Sequence, residues 1–218
     1  MVKYLSGATG DEVVGRGLAA AGIGLMVQPG HSLHKRIEWF PFWAADIGMK
    51  FSEDTDAYLD YLDRLPRSPL FVVSPDAYPD AVESQRRGLE FAPIIREMGF
   101  RVAIVAQDGA EKLHWPWDEL DCLFLGGTKR DDRWKEWKVS AAAEGLALQA
   151  RNAGKQVHMG RCQPGRLLRA RQMGCTSMDG TYVKYGPEIN APKLIHAIAR
   201  THATQPLPIF ERFEDLPA

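Results

Sequence analysis

Apolar residues recur along the chain in eight short runs, at about 3–6, 23–27, 41–46, 70–75, 101–107, 121–126, 155–160 and 175–179. Runs this short, bounded by turn formers, read as buried strands rather than helices. Between them, patterns of helical period at about 11–21, 55–65, 79–98, 134–153, 164–173 and 191–200 predict helices. Several of these open on Asp, Ser or Pro, and Gly22, Gly99, Gly154 and Gly174 stop four of them immediately before a strand restarts, the connection expected of parallel topology. Residues 28–40 read as a loop, and residues 109–120 hold a short helix at most. The alternation predicts an α/β fold, a compact TIM-type (β/α)8 barrel forming one domain over residues 1–218, somewhat under the ~250 residues usual for eight units. A doubly wound open sheet uses the same alternation. No dinucleotide fingerprint opens the first helix, however: Gly7-Ala8-Thr9-Gly10 and Gly15-Arg16-Gly17 lack the strand-turn-helix context.

Composition narrows the class. Hydrophobic residues make up 45% and charged residues 25% of the chain, ordinary values for a globular domain, and no apolar stretch approaches the ~20 residues of a membrane helix. No membrane partner is expected. The N-terminus lacks a signal-like apolar region and the three cysteines, Cys122, Cys162 and Cys175, form no disulfide pattern, so a cytoplasmic setting is expected. None of the cysteines has metal-pair spacing; neither a metal nor a cofactor is expected. A net charge of −1 argues against coating of nucleic acid by the whole surface and leaves room for a local basic face.

Four of the runs end on polar groups able to do chemistry, and in a parallel barrel such ends converge on one mouth. Asp46 follows Trp43-Ala44-Ala45, Asp76 follows Ser74-Pro75, Gln107 and Asp108 close Val102–Ala106, and Asp179 precedes Gly180. Each aspartate has a plain alternative as a cap or turn residue. Two carboxylates on one rim suit cleavage of a glycosidic carbon, one as nucleophile and the other as acid/base. Asp76, Asp108 and Gln107 suit the edge of a heterocyclic base, and Gly126-Gly127 allow close approach of a planar ligand. His158 reads as an interior histidine, and Arg161 as a holder of a phosphate or carboxylate. The stretch from Lys129 through Arg130, Arg133 and Trp134 to Lys138 reads either as a phosphate-and-base contact or as a solvated helix start. Arg166, Arg169 and Arg171 would extend a basic rim.

Taken in order, Asp46-Ile47-Gly48, Ser74-Pro75-Asp76, Ala106-Gln107-Asp108-Gly109, Phe124-Leu125-Gly126-Gly127-Thr128, Val157-His158-Met159-Gly160-Arg161 and Gly174-Cys175-Thr176-Ser177-Met178-Asp179-Gly180-Thr181 resemble motifs of the tRNA-guanine transglycosylase superfamily. The likeness covers about residues 3–190 and is nearest to the short phage and bacterial branch that inserts 7-deazaguanines into DNA. The resemblance implies a barrel enzyme that exchanges guanine for a 7-deazaguanine without breaking the phosphodiester chain. It implies Asp179 as nucleophile, Asp46 as second carboxylate, Asp76 and Gln107 as base readers, and Gly126-Gly127 and Met159-Gly160 as the backbone flanking the base.

Departures from that pattern carry their own expectations. The tRNA enzymes of the superfamily carry a cysteine-rich zinc module for which this chain has neither room nor ligands, which favours DNA over tRNA as the polymer. Ile47 stands where a small polar residue is expected, and Thr176 where an acidic one is frequent. Two other readings stay open: an N-glycosidase or nucleoside hydrolase in which water replaces the incoming base, and a nucleic-acid-binding barrel without chemistry.

Overall fold

Eight parallel strands close on themselves in chain order: β1 (Lys3–Gly7), β2 (Gly24–Val27), β3 (Trp43–Ala45), β4 (Val72–Val73), β5 (Val102–Ala106), β6 (Cys122–Leu125), β7 (Gln156–Met159) and β8 (Ser177–Gly180). The last pairs with the first through Lys3↔Ser177 and Leu5↔Asp179. The fold is the expected TIM-type barrel, seen in a computed structural model that describes residues 2–7, 11–30, 32–48, 54–66, 68–128 and 135–203. Residues 129–134 and the tail after Pro206, expected to be extended, lie outside the described residues.

Helices α1 (Glu12–Ala20), α2 (Thr55–Asp63), α3 (Ala81–Glu97), α4 (Ala141–Asn152), α5 (Leu167–Gln172) and α6 (Pro187–Ala203) surround the barrel. Side chains of Asp11, Asp54, Asp80 and Ser140 accept from the backbone N–H three residues on, capping α1 to α4. The four stop glycines share one geometry. Each has positive φ, from 75° at Gly22 to 85° at Gly99. The glycine N–H bonds back three residues and the next N–H bonds back five, as in Gly22 N to Ala19 O and Ile23 N to Leu18 O. This Schellman closure turns the chain directly into the following strand.

Four stretches depart from the sequence reading. Residues 28–40 are not all loop, since Ser32–Trp39 form a 3₁₀ helix, and residues 109–120 hold two 3₁₀ turns, Ala110–Lys112 and Trp117–Glu119. Helix α4 starts at Ala141 rather than 134, because Ser140 caps it after a separate 3₁₀ turn at Trp137–Val139. Helix α6 begins at Pro187, well ahead of Pro192, with Asn190 tied by its amide to the carbonyls of Tyr182 (3.1 Å) and Tyr185 (2.8 Å).

Strand alternation divides the core into two. Leu5, Met26, Ala44, Phe71, Val73, Ala103, Val105 and Cys122, with Phe124, fill the barrel interior. Val102, Ile104, Ala106, Val157, Met159 and Met178 face the helix layer. The apolar interior ends toward the C-terminal mouth, where the inward positions turn polar: His158, Ser177 and Asp179 on β7 and β8, and Gln28, Asp46 and Gln107 just beyond β2, β3 and β5.

Candidate active site

A cavity of about 480 Å³ opens at that mouth, and Asp46, Asp76 and Asp179 all line it. Three carboxylates from β3, β4 and β8 therefore meet around one space, as the convergence of strand ends predicts. Among the described residues no group of three His, Cys, Asp or Glu is arranged to hold a metal ion.

Asp46 leaves β3 with its backbone N–H still bonded to Val27 O at 3.0 Å. Its Oδ2 accepts from Gln28 Nε2 at 2.8 Å and its Oδ1 from Gly48 N at 3.4 Å. Burial, and next the charge of Asp179, push its carboxyl up from 3.8 to about 6, against the opposing Gln28 hydrogen bond. That value suits a group that passes a proton near neutrality.

Asp179 points inward from within β8. Its Oδ1 accepts from His158 Nε2 at 3.0 Å and from Arg161 N at 3.3 Å, and its side chain is 15% exposed. Asp76 accepts at Oδ2 from Gln107 Nε2, 2.7 Å away, while Gly127 N donates to Gln107 Oε1 at 2.8 Å. The amide of Gln107 is thus oriented from both ends. Burial raises the Asp76 carboxyl above its ordinary value, with Gln107 and the Arg161 charge pulling the other way. Gly126, Gly127 and Gly160 bring bare backbone to the cavity. A side chain at Gly160 would meet Phe124 at 2.4 Å, and one at Gly126 would meet Val105 at 2.9 Å.

Other expected residues take different places. Met159 projects into the helix layer because alternation on β7 turns it outward; only its neighbour Gly160 reaches the cavity. Asp108 is not among the described lining residues, and its Oδ1 instead accepts from Thr128 N at 2.7 Å, fixing the Gly126–Gly127 rim. Gly180 leaves no space for a ligand: the Tyr4 hydroxyl and the Cys162 backbone occupy the position of its missing side chain. Thr176 is exposed and precedes β8, at the opposite end from the cavity, so its identity does not bear on the pocket. Ile47 is buried and lines the cavity as an apolar wall. Lys129, Arg130 and Arg133 lie outside the described residues.

Of the expected basic rim, Lys138 and Arg166 are buried, Arg169 and Arg171 half-buried and Lys135 exposed. Arg166 donates to Glu136 Oε1 at 2.8 Å, and Lys138 Nζ lies 3.4 Å from Glu136 Oε2, all three side chains being buried. Lys138 also donates to Gly160 O (2.9 Å) and Arg166 to Arg161 O (3.3 Å), so this ion cluster holds the loop after β7 from behind. Burial lowers the Lys138 ammonium below its ordinary value, against the pull of Glu136. Arg169 is spent on Val139 O and Glu144, and Arg171 on Thr201 O. Arg161 does stay at the surface, its guanidinium 5.4 Å from the centre of the Tyr78 ring at the cavity edge. Its φ of 52° is uncommon for a residue other than glycine.

No family model matches the chain, and no curated protein sequence matches it. Solved structures match by shape. A structure of the Amycolatopsis orientalis BexX/CysO complex aligns with TM-score 0.62 at 15% identity, over 95% of this chain and 93% of that one. A mutant tryptophan synthase alpha-subunit from the hyperthermophile Pyrococcus furiosus aligns with TM-score 0.61 at 12% identity, over 94% and 98%. A native KDPGal structure aligns with TM-score 0.52 at 13% identity, over 93% of each chain. At these identities the likeness establishes the barrel fold and no more.

Proposed function

We propose that the protein is a base-exchange transglycosylase that replaces guanine in a polynucleotide, DNA in preference to tRNA, with a 7-deazaguanine. One observation carries this reading: Asp46 and Asp179, on strands β3 and β8 that are not neighbours in the closed barrel, line a single cavity whose size falls within the ~300–1,000 Å³ of small-molecule sites. The sequence motifs that resemble the transglycosylases supply the identity of the base.

The target guanine is flipped from the stack into the cavity, at a cost of a few kcal/mol. A carboxylate oxygen of Asp179 attacks C1′ as the bond from C1′ to guanine N9 breaks, and Asp46 in its acid form gives its proton to N9, so that guanine leaves neutral and Asp46 is left ionised. A 7-deazaguanine then occupies the same space. Its ring N–H passes the proton to Asp46, the freed nitrogen attacks C1′, and the ester to Asp179 breaks with net retention. Asp76, oriented by Gln107, offers acceptors to the N–H groups of either base, and Gly126-Gly127 let the ring approach the backbone. Arg161, at the lip, meets a phosphate of the polymer.

Incubation with labelled guanine or 7-deazaguanine and either DNA or tRNA tests this directly. Label is expected in the polymer with the wild-type chain, and Asp179→Asn is expected to abolish both incorporation and the trapped covalent adduct. Full exchange by the Asn variant would remove Asp179 from the role. Release of free base without incorporation would identify a hydrolase, and an unchanged polymer that is nevertheless bound would identify a binding barrel.

A further inference from the structure

His158 has no part in the reading above, yet its ring lies directly behind two side chains that line the cavity, Phe124 and Asp179. The register pairs it with Phe124 on one side and Ser177 on the other. It is fully buried, with the Phe71 ring centre 4.9 Å away and the Phe124 ring centre 4.6 Å away. Both ring nitrogens meet side chains of β8 that lie two residues apart on one face: Nδ1 is 2.9 Å from Ser177 Oγ and Nε2 is 3.0 Å from Asp179 Oδ1.

The chemistry of those partners fixes where the protons sit. An ionised carboxylate only accepts, so Nε2 carries hydrogen, and the Ser177 hydroxyl can rotate to donate to Nδ1. Together with Arg161 N, two donors then converge on Oδ1 of Asp179. Among the described residues, that leaves Oδ2 as the oxygen that is not held.

We infer that His158 is a positioning residue for Asp179: locked by Ser177 with hydrogen on Nε2, it pins Oδ1 and so presents Oδ2 to the sugar carbon. This inference rests on the base-exchange reading and deepens it. No proton moves through the ring. When Oδ2 bonds to C1′, Oδ1 becomes the ester carbonyl, still hydrogen-bonded to Nε2–H. When the incoming base displaces Asp179, negative charge returns to the carboxylate and the same bond strengthens, so His158 aids departure through charge and attack through orientation alone.

His158→Leu and His158→Gln separate this role from packing. The Gln amide nitrogen reaches roughly where Nε2 sits, whereas Leu fills space without a donor. Leu is expected to lower the rate of adduct formation and kcat by about 10- to 100-fold, the worth of one hydrogen bond to a charged group, with KM for the incoming base within about twofold. Gln is expected to recover most of that loss. Should the Leu variant not fold, Gln against Asn decides, because the Asn amide reaches only the Nδ1 position: an active Gln and an inactive Asn support the inference, and equal activities overturn it. Loss carried wholly by KM, or Gln no better than Leu, also overturns it. Nitrogen NMR of histidine-labelled wild-type protein gives a readout independent of turnover, with hydrogen on Nε2 and a bare Nδ1 expected for the resonance that His158→Gln removes. Hydrogen on Nδ1 instead overturns the inference even in an active enzyme. A wild-type chain that shows the expected tautomer yet exchanges no base overturns the functional reading, and with it the role of His158 in the reaction.

Discussion

Removing the charge at residue 46 is expected to stabilise the protein while disabling it. In the native state the Asp46 carboxyl is pushed from 3.8 to about 6, first by burial and then by the nearby Asp179. At about 1.4 kcal/mol per tenfold change in proton affinity, an ionised Asp46 costs the fold about 3 kcal/mol. Asp46→Asn abolishes that cost. Its amide oxygen still accepts from Gln28, but it has no second oxygen for Gly48 N, a long 3.4 Å contact worth about 0.5–1 kcal/mol. The net gain is about 2 kcal/mol, or about 4–8 °C in melting temperature for a chain of this length. The pH dependence has a defined sign. The native state keeps this proton up to about pH 6 and the unfolded chain only to about 3.8, so folding takes up a proton between those values. The Asp46 contribution therefore falls as pH rises through that window, is fully unfavourable above it, and vanishes below pH 3.8. Thermal melts of both proteins at pH 8 and pH 4 measure the difference. An Asn variant no more stable than wild type at pH 8, or a gap that does not close toward pH 4, would refute the account of Asp46 as a desolvated carboxylate with no cation beside it among the described residues.

Two further perturbations bear on the frame of the site. Gly160→Ala places a methyl group 2.4 Å from the Phe124 ring, which is backed by His158 and can give way only toward the cavity it lines; a loss of about 1–3 kcal/mol is expected, together with weakened base binding, read by melting with and without guanine. Lys138→Met leaves the carbonyl of Gly160 without its donor and Glu136 with Arg166 alone. Breaking such a buried set costs about 3–5 kcal/mol, and urea unfolding that shows less than about 1 kcal/mol would mean the cluster is solvated.

The strands were legible because a strand buried on both faces is a continuous apolar run, and each glycine stop that precedes one carries its own backbone requirement. Asp46, Asp76, Gln107 and Asp179 were legible for the same reason: a polar residue that ends an apolar run at a strand's C-terminus has one mouth to face. Register was not legible. Met159 and Asp108 follow the same rule of thumb, yet one turns outward by alternation on β7 and the other turns back to hold Thr128. Gln28 was hidden by the loop that follows it, although it ends Gly24–Val27 much as Gln107 ends Val102–Ala106. Lys138 and Glu136 sit in a stretch so rich in charge that composition points to solvent; only the fold shows them buried against Arg166. The partnership of His158 with Asp179 spans two strands, and needed the β7–β8 register to be seen.

That register exposes a rule in how the mouth is built. Each cavity carboxylate takes a hydrogen bond from a side chain on an adjacent strand: Asp46 from Gln28 beside β2, Asp76 from Gln107 beside β5, and Asp179 from His158 on β7. In the first two cases the donor is an uncharged amide, and in the third an imidazole. A guanidinium in these places would bind a carboxylate with both oxygens occupied and hold it firmly ionised. At Asp76 and Asp179 the side-chain donor fixes one oxygen and leaves the other for a ligand, and at Asp46 the second oxygen has only the long contact to Gly48 N. A donor of this kind also leaves the repulsion between the carboxylates in place, which adds to burial, the larger cause, in raising the Asp46 carboxyl to about 6. Of the nearby cations, Lys138 and Arg166 act from behind the wall on backbone carbonyls and Glu136, and Arg161 stands at the lip. The arrangement gives up stability at the mouth, by the amount that Asp46→Asn would recover, for carboxylates that are aimed and still able to exchange a proton or form a bond.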